Sequence, residues 1–553
     1  MRSVGQKILV LDGDCNAACA IVQSLGRAGY EVWLAAPSID FPAFASRYVA
    51  RAVTYPDPLA DKSAFQRWCV AFQREHRFAL IVPPSECTLI PLHEIRDEID
   101  GVALPPPAAV DIAFDKERVR ELAVELGIAT PESLLLDKLD DPRLDAWLAE
   151  GAVVVKAIRS KVWNGATASQ PRVGFASSRA GLERLVREMD CSLQVQRWVP
   201  GRGVGVEMLV DRGEIVLSFA HERIHELPLT GGGSSYRRAI EVPKALLEAA
   251  AKLMRALAWH GVAMVEFRVS GGDHWLMEIN GRFWGSLPLA CFAGVDFPKA
   301  LAELLLQGVR PSVVRPKQGV YARNVSRDVQ WTKAILKHDK NDRLLLTKPI
   351  GASLLEWTRI FSNKETWDGA RLEDPAPIVF ELSRTLKREL RSLRHKARRH
   401  PAPPKELAGK RRVLVLCHGN ICRSAYADAR LGKPNGFELR SAGFHPVIDR
   451  TSPAGFVAVA HARGVNLAEH RSRLVTRDDL DWAELVVIMD HKNYDALAEL
   501  DRASLSKTMW LGALDPSGPL EIEDPYGEPA HRADAVLERM DRCLEKLTRA
   551  LEP

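Results

Sequence analysis

The feature that most constrains this chain is a strand that runs directly into a cysteine-bearing loop. Val413-Leu414-Val415-Leu416 is an unbroken apolar run, as a parallel strand buried on both faces requires. Ala425-Tyr426-Ala427-Asp428-Ala429-Arg430-Leu431 reads as a helix. Between them lie Cys417-His418-Gly419-Asn420-Ile421-Cys422-Arg423-Ser424. A cysteine therefore sits at a strand-to-helix turn, with an arginine closing the loop. Backbone N–H groups at a helix N-terminus point at an anion, and the helix dipole favours negative charge there. The same field favours the thiolate form of a cysteine. The guanidinium of Arg423 can grip two phosphate oxygens in a bidentate fork, and Ser424 can donate a hydrogen bond to the thiolate. These parts make a phosphate site with a nucleophile at its base.

This run resembles the active-site loop of the low-molecular-weight protein tyrosine phosphatases, over Lys410 to Pro553. Asp524-Pro525-Tyr526 matches the family's downstream acid motif, and Ser441-Ala442-Gly443 and His470-Arg471-Ser472 match further landmarks. The resemblance implies a catalytic set of Cys417, Asn420, Arg423, Ser424 and Asp524. Cys417 would attack phosphorus, Asp524 would protonate the leaving oxygen, and water would hydrolyse the phosphocysteine with Asp524 as base. The substrate implied is a phosphorylated protein or small phosphate ester. Phe444 is the candidate aromatic wall for a tyrosyl group, on a loose match, and His418 is expected to face solvent. By resemblance, Cys422 can close a protective disulfide with Cys417 under peroxide. Arsenate reduction on the same fold needs further cysteines late in the domain, where only Cys543 lies.

The chain has 553 residues, more than one core supports, so two to four domains are expected. The boundaries read as a first α/β domain at 1–110, a nucleotide-clamping domain at 111–310, an accessory region at 311–382, a basic helix with a Pro-rich linker at 383–409, and the phosphatase-like domain at 410–553. No apolar run reaches the ~18 residues of a membrane span. The N-terminus runs straight into the strand Ile8-Leu9-Val10-Leu11 without a signal-peptide core. Nine scattered cysteines beside a thiolate site point to a reducing cytoplasm. The net charge of +5 is concentrated: residues 384–399 carry eight Lys/Arg against Glu389. Leu382, Leu386, Leu390 and Leu393 fall on one face of that helix. It reads as a solvated helix or, alternatively, as a contact for an anionic membrane surface. The segment lacks the aromatic interleaving that would favour nucleic acid. Pro401-Ala402-Pro403-Pro404 reads as a stiff linker.

The N-terminal part alternates strands and helices: Ile8–Leu11, a helix over Cys15–Gly29, Tyr30–Ala35 and Leu80–Val82. That order implies a parallel α/β sheet. The first strand is not followed by G-x-G-x-x-G, so a dinucleotide site is not indicated. Further on, Asp115-Lys116 opens a helix, Ala152–Lys156 reads as a strand, Leu193–Gly201 runs into a loop, and Val206–Val210 pairs with Glu214–Phe219. Val265–Val269 then pairs with His274–Asn280. On this last hairpin Glu266 faces Glu278 and Asn280, which are two apart and share a face. Oxygen ligands on adjacent strands suit Mg²⁺ bridging nucleotide phosphates. Arg282 follows two residues later.

This stretch resembles the ATP-grasp superfamily, near the carbamoyl-phosphate synthetase large-subunit type, over Lys7 to Gly308. The resemblance implies ATP and Mg²⁺. Lys116 and Lys156 would contact phosphates, and Gln196, Arg197, Trp198 and Val199 would form the hinge against adenine. Glu207 would serve the ribose, Glu266, Glu278 and Asn280 would hold Mg²⁺, and Arg282 would stabilise the phosphoryl group. It also implies a carboxylate substrate attacked, once phosphorylated, by an amine or thiol. His221–Pro228 and Gly231–Ser235 read as a polar loop, with Arg223 suited to a carboxylate. Arg159–Ala166, where a glycine-rich phosphate lid is expected, has a single glycine. That departure keeps open an ATP-binding regulator that does not ligate. The whole reads as a bifunctional α/β protein. Gln318–Leu382, with Trp331, Trp357 and Trp367, reads as packed but carries no assignable chemistry.

Overall fold

The computed structural model contains two compact units, one of Met1–Leu185 with Cys191–Lys387 and one built on Arg388–Pro553. It describes residues 5–136, 139–164, 167–169, 171, 173–189, 191–337, 348–397, 407–432, 436–445, 448–526, 528 and 530–552. The Pro-rich linker 401–404, with Arg398 and Arg399, lies outside the described residues.

The first unit opens with a parallel sheet of β1 (Lys7–Val10), β2 (Glu31–Ala36), β3 (Val49–Thr54) and β4 (Leu80–Val82), in the order β3-β2-β1-β4. The helix expected from Cys15 begins only at Ala18. Asp12 turns the chain in the left-handed region (φ 48°), and Cys15 N–H closes that turn on the Asp12 carbonyl. A second, antiparallel sheet holds β5 (Ser133–Leu135) and β6 (Val153–Ala157). The ribbon β7 (Val162–Asn164) and β8 (Thr167–Ser169) follows, standing where a glycine-rich lid was expected. β9 (Gly174–Ala176) and β10 (Leu193–Arg197) complete the sheet in the order β5-β10-β6-β9.

The third sheet has seven strands: β11 (Arg202–Asp211), β12 (Glu214–Leu227), β13 (Gly233–Ile240), β14 (Gly261–Ser270), β15 (Asp273–Asn280), β16 (Tyr321–Arg323) and β17 (Glu365–Trp367), in the order β15-β14-β11-β12-β13-β16-β17. One sequence expectation changes here. His221–Leu227 is not a loop; it completes β12, and Gly233–Ser235 begins β13. The region read as packed after Gly308 contributes β16 and β17 to this sheet. Buried side chains hold both segments there. His225 is fully buried, stacked on Trp331 at 3.5 Å, with Nδ1 2.8 Å from Asp328 and Nε2 2.7 Å from Glu356. Arg323, also fully buried, lies between the rings of Tyr236 and Trp357 and bonds Glu365 and Asp328. Buried charge persists only when paired in this way, and removing one partner of such a pair costs about 3–5 kcal/mol.

The second unit has one parallel sheet of β18 (Arg412–Cys417), β19 (Glu438–Gly443), β20 (Leu485–Ile488) and β21 (Thr508–Trp510), ordered β19-β18-β20-β21. Val413, Leu414, Val415 and Leu416 are all fully buried, each contributing roughly 1.5–3 kcal/mol of apolar burial. β18 is therefore a rigid post that delivers Cys417 to the sheet's C-terminal edge. Among the described residues, no helix is long and apolar enough to cross a membrane.

Candidate active sites

In the second unit the loop from Cys417 to Cys422 wraps back on the sulfur, and the helix Arg423–Leu431 begins where it closes. Cys417 Sγ lies 3.0 Å from Ser424 Oγ and accepts the Asn420 N–H at 3.2 Å. Asn420 holds a left-handed backbone (φ 50°), which asparagine tolerates better than most residues. Its side chain is clamped from three sides. Nδ2 donates to Ser424 Oγ (3.0 Å) and Ser441 Oγ (3.2 Å), and Oδ1 accepts Arg473 N–H (2.9 Å). Ser441 in turn donates to Asp428 at 2.6 Å, and His470 Nε2 donates to the Asn420 carbonyl at 2.7 Å. Gly443 lets β19 approach: a Cβ there would stand 2.8 Å from Asn420 N and 2.9 Å from the His418 carbonyl oxygen. The landmarks Ser441–Gly443 and His470 thus support the loop from behind.

Arg423 is buried and pairs with Asp490 at 2.6 Å, the Ile522 carbonyl at 2.9 Å and Asp524 at 2.9 Å. Burial opposes its charge, but Asp524 and Asp490 outweigh that and hold it above its usual value. Its Nε–H is buried with no acceptor among the described residues, an orphan that an anion in the loop would satisfy. Asp524 is half-exposed, its carboxylate beside the guanidinium. Cys422 is buried, and that burial pushes its thiol far above the ordinary range. His418 is exposed, as expected. Phe444 is partly buried against a core that includes Leu414 and Val486, and its N–H donates to the His418 carbonyl at 2.9 Å. Pro446 and Val447 of the same segment lie outside the described residues. Sequence reasoning missed Asp490. It caps the helix His491–Leu500 by accepting the Asn493 N–H, a local role that hides its second one.

In the first unit Glu266 of β14 and Glu278 of β15 stand directly opposite each other at a β-bulge. Asn280 Nδ2 donates to Glu266 (3.1 Å) and Glu278 (3.3 Å). Around them come Lys116 from a helix start capped by Asp115, Lys156 from β6, and Arg282 just past β15. Burial pushes the Glu278 carboxyl up, but Lys116, Lys156, Arg282 and Arg223 together bring it below the usual carboxylate range. Burial, reinforced by Lys116 and only partly opposed by Glu278, pushes the Lys156 ammonium down to about 8. No group of three His, Cys, Asp or Glu poised for a metal occurs among the described residues. Two carboxylates and an amide, with Lys116, Lys156, Arg282 and Arg223 nearby, nonetheless fit a hard divalent ion shared with phosphates.

Other expected contacts are engaged elsewhere. Lys156 Nζ donates to Gln196 Oε1 (2.8 Å) and Lys116 Nζ to Ser160 Oγ (3.0 Å). Arg197 pairs with Glu132 and Glu150, and Trp198 contributes its backbone N–H to the Ala152 carbonyl. Val199 is only part-buried beside it. Arg282 pairs with Glu86 at 3.3 Å. Glu207 overturns its expectation. It is fully buried, 2.8 Å from both Ser286 Oγ and His221 Nδ1, and is not open to ribose hydroxyls. Arg223 was expected in a substrate loop; it lies on β12 with NH2 2.5 Å from Glu266.

Two segments of the chain match known families. Residues 412–553 match the family described as low molecular weight phosphotyrosine protein phosphatase. Residues 191–328 match ATP-grasp in the biosynthetic pathway with Ter operon. A protein-arginine-phosphatase of Geobacillus stearothermophilus is 28% identical over 143 residues, 26% of this chain and 96% of that protein. The probable low molecular weight protein-tyrosine-phosphatase AmsI of Erwinia amylovora is 28% identical over 25% of this chain and 96% of its own length. Among solved structures, an L-amino acid ligase from Bacillus licheniformis aligns over 55% of this chain and 74% of its own, with TM-score 0.42 and 18% identity. A biotin carboxylase from Campylobacter jejuni aligns over 57% and 74%, with TM-score 0.48 and 14% identity. This chain thus joins a region that matches the ATP-grasp family model to a domain that matches the low molecular weight phosphotyrosine phosphatase model.

Proposed function

We propose that the second unit hydrolyses phosphate monoesters through Cys417, and that the first is an ATP-dependent ligase. The observation that carries the phosphatase reading is the Cys417 loop itself. A sulfur contacted by Ser424 and by the Asn420 N–H faces an arginine whose Nε–H lacks an acceptor. A bound phosphate would take the Arg423 fork from Asp524 and free that carboxyl. Cys417 would then attack phosphorus while Asp524 protonates the leaving oxygen; Asp524 would next activate water against the phosphocysteine. Asp490, still paired with Arg423, would keep the guanidinium aimed. Cys417→Ser is the direct test, with aryl-phosphate hydrolysis as readout. Normal hydrolysis in that variant would remove the assignment.

For the first unit the reading rests on Glu266, Glu278 and Asn280 meeting beneath Lys116, Lys156 and Arg282. The three oxygen ligands would hold Mg²⁺, which when bound neutralises charge on the ATP phosphates. The lysines and Arg282 would hold the γ-phosphoryl group as it passes to a carboxylate, and an amine or thiol would then displace phosphate. ADP release with Mg-ATP and pooled acids and amines, beside Glu278→Ala, tests this. Acceptor-independent silence despite ATP binding would favour the non-ligating regulator instead.

We also propose that the helix Ala376–Ala397 meets anionic membrane. Its sequence is rich in Lys and Arg from 384 on, and Leu386 and Leu390 are exposed. Glutamine at the Lys/Arg positions of 384–399 should abolish co-sedimentation with phosphatidylserine vesicles; unchanged binding would refute the contact.

A further inference from the structure

The sheet face that carries Glu266 also carries cations that phosphoryl transfer does not use. Gly203 of β11 is paired with Arg268 of β14, and Arg223 of β12 is paired with Arg237 of β13. Like charges directly opposite on neighbouring strands destabilise a sheet unless an anion lies between them. Gly203 makes room for the row: a Cβ there would stand 2.8 Å from Arg223 Cδ. A further guanidinium enters from the helix Val325–Lys337, where Arg327 donates to the carbonyls of Leu227 (3.2 Å) and Gly233 (3.4 Å).

The carboxylates nearby do not balance these cations. Glu226 is shared between Arg268 at 3.3 Å and Arg223 at 3.7 Å. Asp368 is taken by the buried Arg237, which also reaches the Gly285 carbonyl. Arg223 donates to the Gly232 carbonyl at 3.0 Å, but among the described residues its close carboxylate is Glu266, a residue the divalent ion would claim. The Nε–H groups of Arg237 and Arg327 are buried with no acceptor among the described residues, and one oxygen of Asp368 is buried with no donor. Burial first, and then Arg237, push the Arg327 guanidinium below its usual range. Once a cation occupies Glu266, Arg223 keeps the Gly232 carbonyl and only a share of Glu226 at 3.7 Å, so less negative charge faces its guanidinium.

We propose that Arg223, Arg237 and Arg327 form an anion subsite for an acid group of the acceptor other than the one that receives the phosphoryl group. The acceptor is then a dicarboxylate or a phosphorylated carboxylate. Which end reacts rests on the ligase reading; the anion binding itself does not.

The test uses the full chain carrying Arg423→Met, which removes the phosphatase anion site. With Mg-ADP present, inorganic phosphate, succinate and butyrate are titrated calorimetrically. The expected result is saturable binding of phosphate, succinate or both, but not butyrate. Arg327→Ala should weaken it about tenfold or more, as loss of a charged hydrogen bond implies, and Arg327→Lys should restore part of it. Phosphate alone would point to a phosphorylated acid, succinate alone to a dicarboxylate. Should Arg327→Ala unfold by circular dichroism, Arg237→Lys takes its place. Absence of saturable anion binding, or binding indifferent to both arginines, overturns the subsite. The two readings separate in ADP release. Anion binding without any acid-driven ADP would sink the ligase and keep the subsite. A monocarboxylate turning over as well as its dicarboxylate homologue would do the reverse.

Discussion

The two proposed sites would meet one problem, holding phosphate, by opposite means. In the second unit the loop Cys417–Arg423 supplies nucleophile, backbone donors and guanidinium from contiguous residues, and everything else braces it. In the first unit Lys116 comes from a helix start and Lys156 from the second sheet. Glu266 and Glu278 come from paired strands of the third, and Arg282 from just past β15, so only the tertiary fold brings them together. A loop of this kind fails at single atoms. A dispersed set shares its load, so single losses should be graded there and sharper in the loop.

The largest expected effect is therefore on the loop. Cys417→Ser should lower aryl-phosphate hydrolysis by about 10⁴-fold or more, since no other nucleophile replaces the sulfur, while ADP release stays unchanged. A parallel fall in ADP release would show that the sites are coupled and break the contrast. Next comes Glu278→Ala, expected to lower acceptor-dependent ADP release by about 10²–10³-fold, with aryl-phosphate hydrolysis intact. Asp524→Asn should cost about 10²-fold with a poor leaving group and much less with p-nitrophenol, because general acid matters in proportion to leaving-group basicity. Equal losses with both would assign Asp524 only to its ion pair with Arg423.

Gly443→Ala sharpens the comparison without touching a reacting group. Its Cβ would press on Asn420 N and the His418 carbonyl oxygen, both backbone atoms unable to step aside. Overpacking of this kind costs about 1–3 kcal/mol. The thermal midpoint of the second unit should fall and kcat with it. An unchanged midpoint would mean that the loop's rigidity comes from elsewhere.

The same contrast governs what was legible in the sequence. The Cys417 loop could be read because its parts are neighbours in the chain. Asp490 could not, because only the fold brings it to Arg423. Glu266, Glu278 and Asn280 were readable from strand alternation across one short hairpin. His221–Leu227 was misread as a loop because nearly every position is polar. Alternation separates inside from outside only when buried positions are apolar, and here His221, His225 and Glu226 are buried in ion pairs. Glu207 failed for the same reason. The Arg223–Glu266 contact links β12 to β14 across β11, a relation that no local pattern encodes.

Lys156 supplies the smallest effect and the one most particular to a dispersed site. Its ammonium, pushed down to about 8 by burial, titrates near 10.4 in an open chain. Between those values the unfolded chain binds more protons, so this group should make the first unit more stable as pH rises from about 8 to 10. ATP should act in the other direction, since its phosphates favour the charged ammonium. Nucleotide binding near pH 8.5 should then take up as much as about one proton, and affinity should weaken as pH climbs. Calorimetry in two buffers of different ionisation enthalpy reads the uptake, and Lys156→Met should abolish it. Uptake that survives Lys156→Met would move the titration to another group among those facing the phosphates. The cationic wall of the first site would then not depend on this buried lysine, as the loop of the second depends on Arg423.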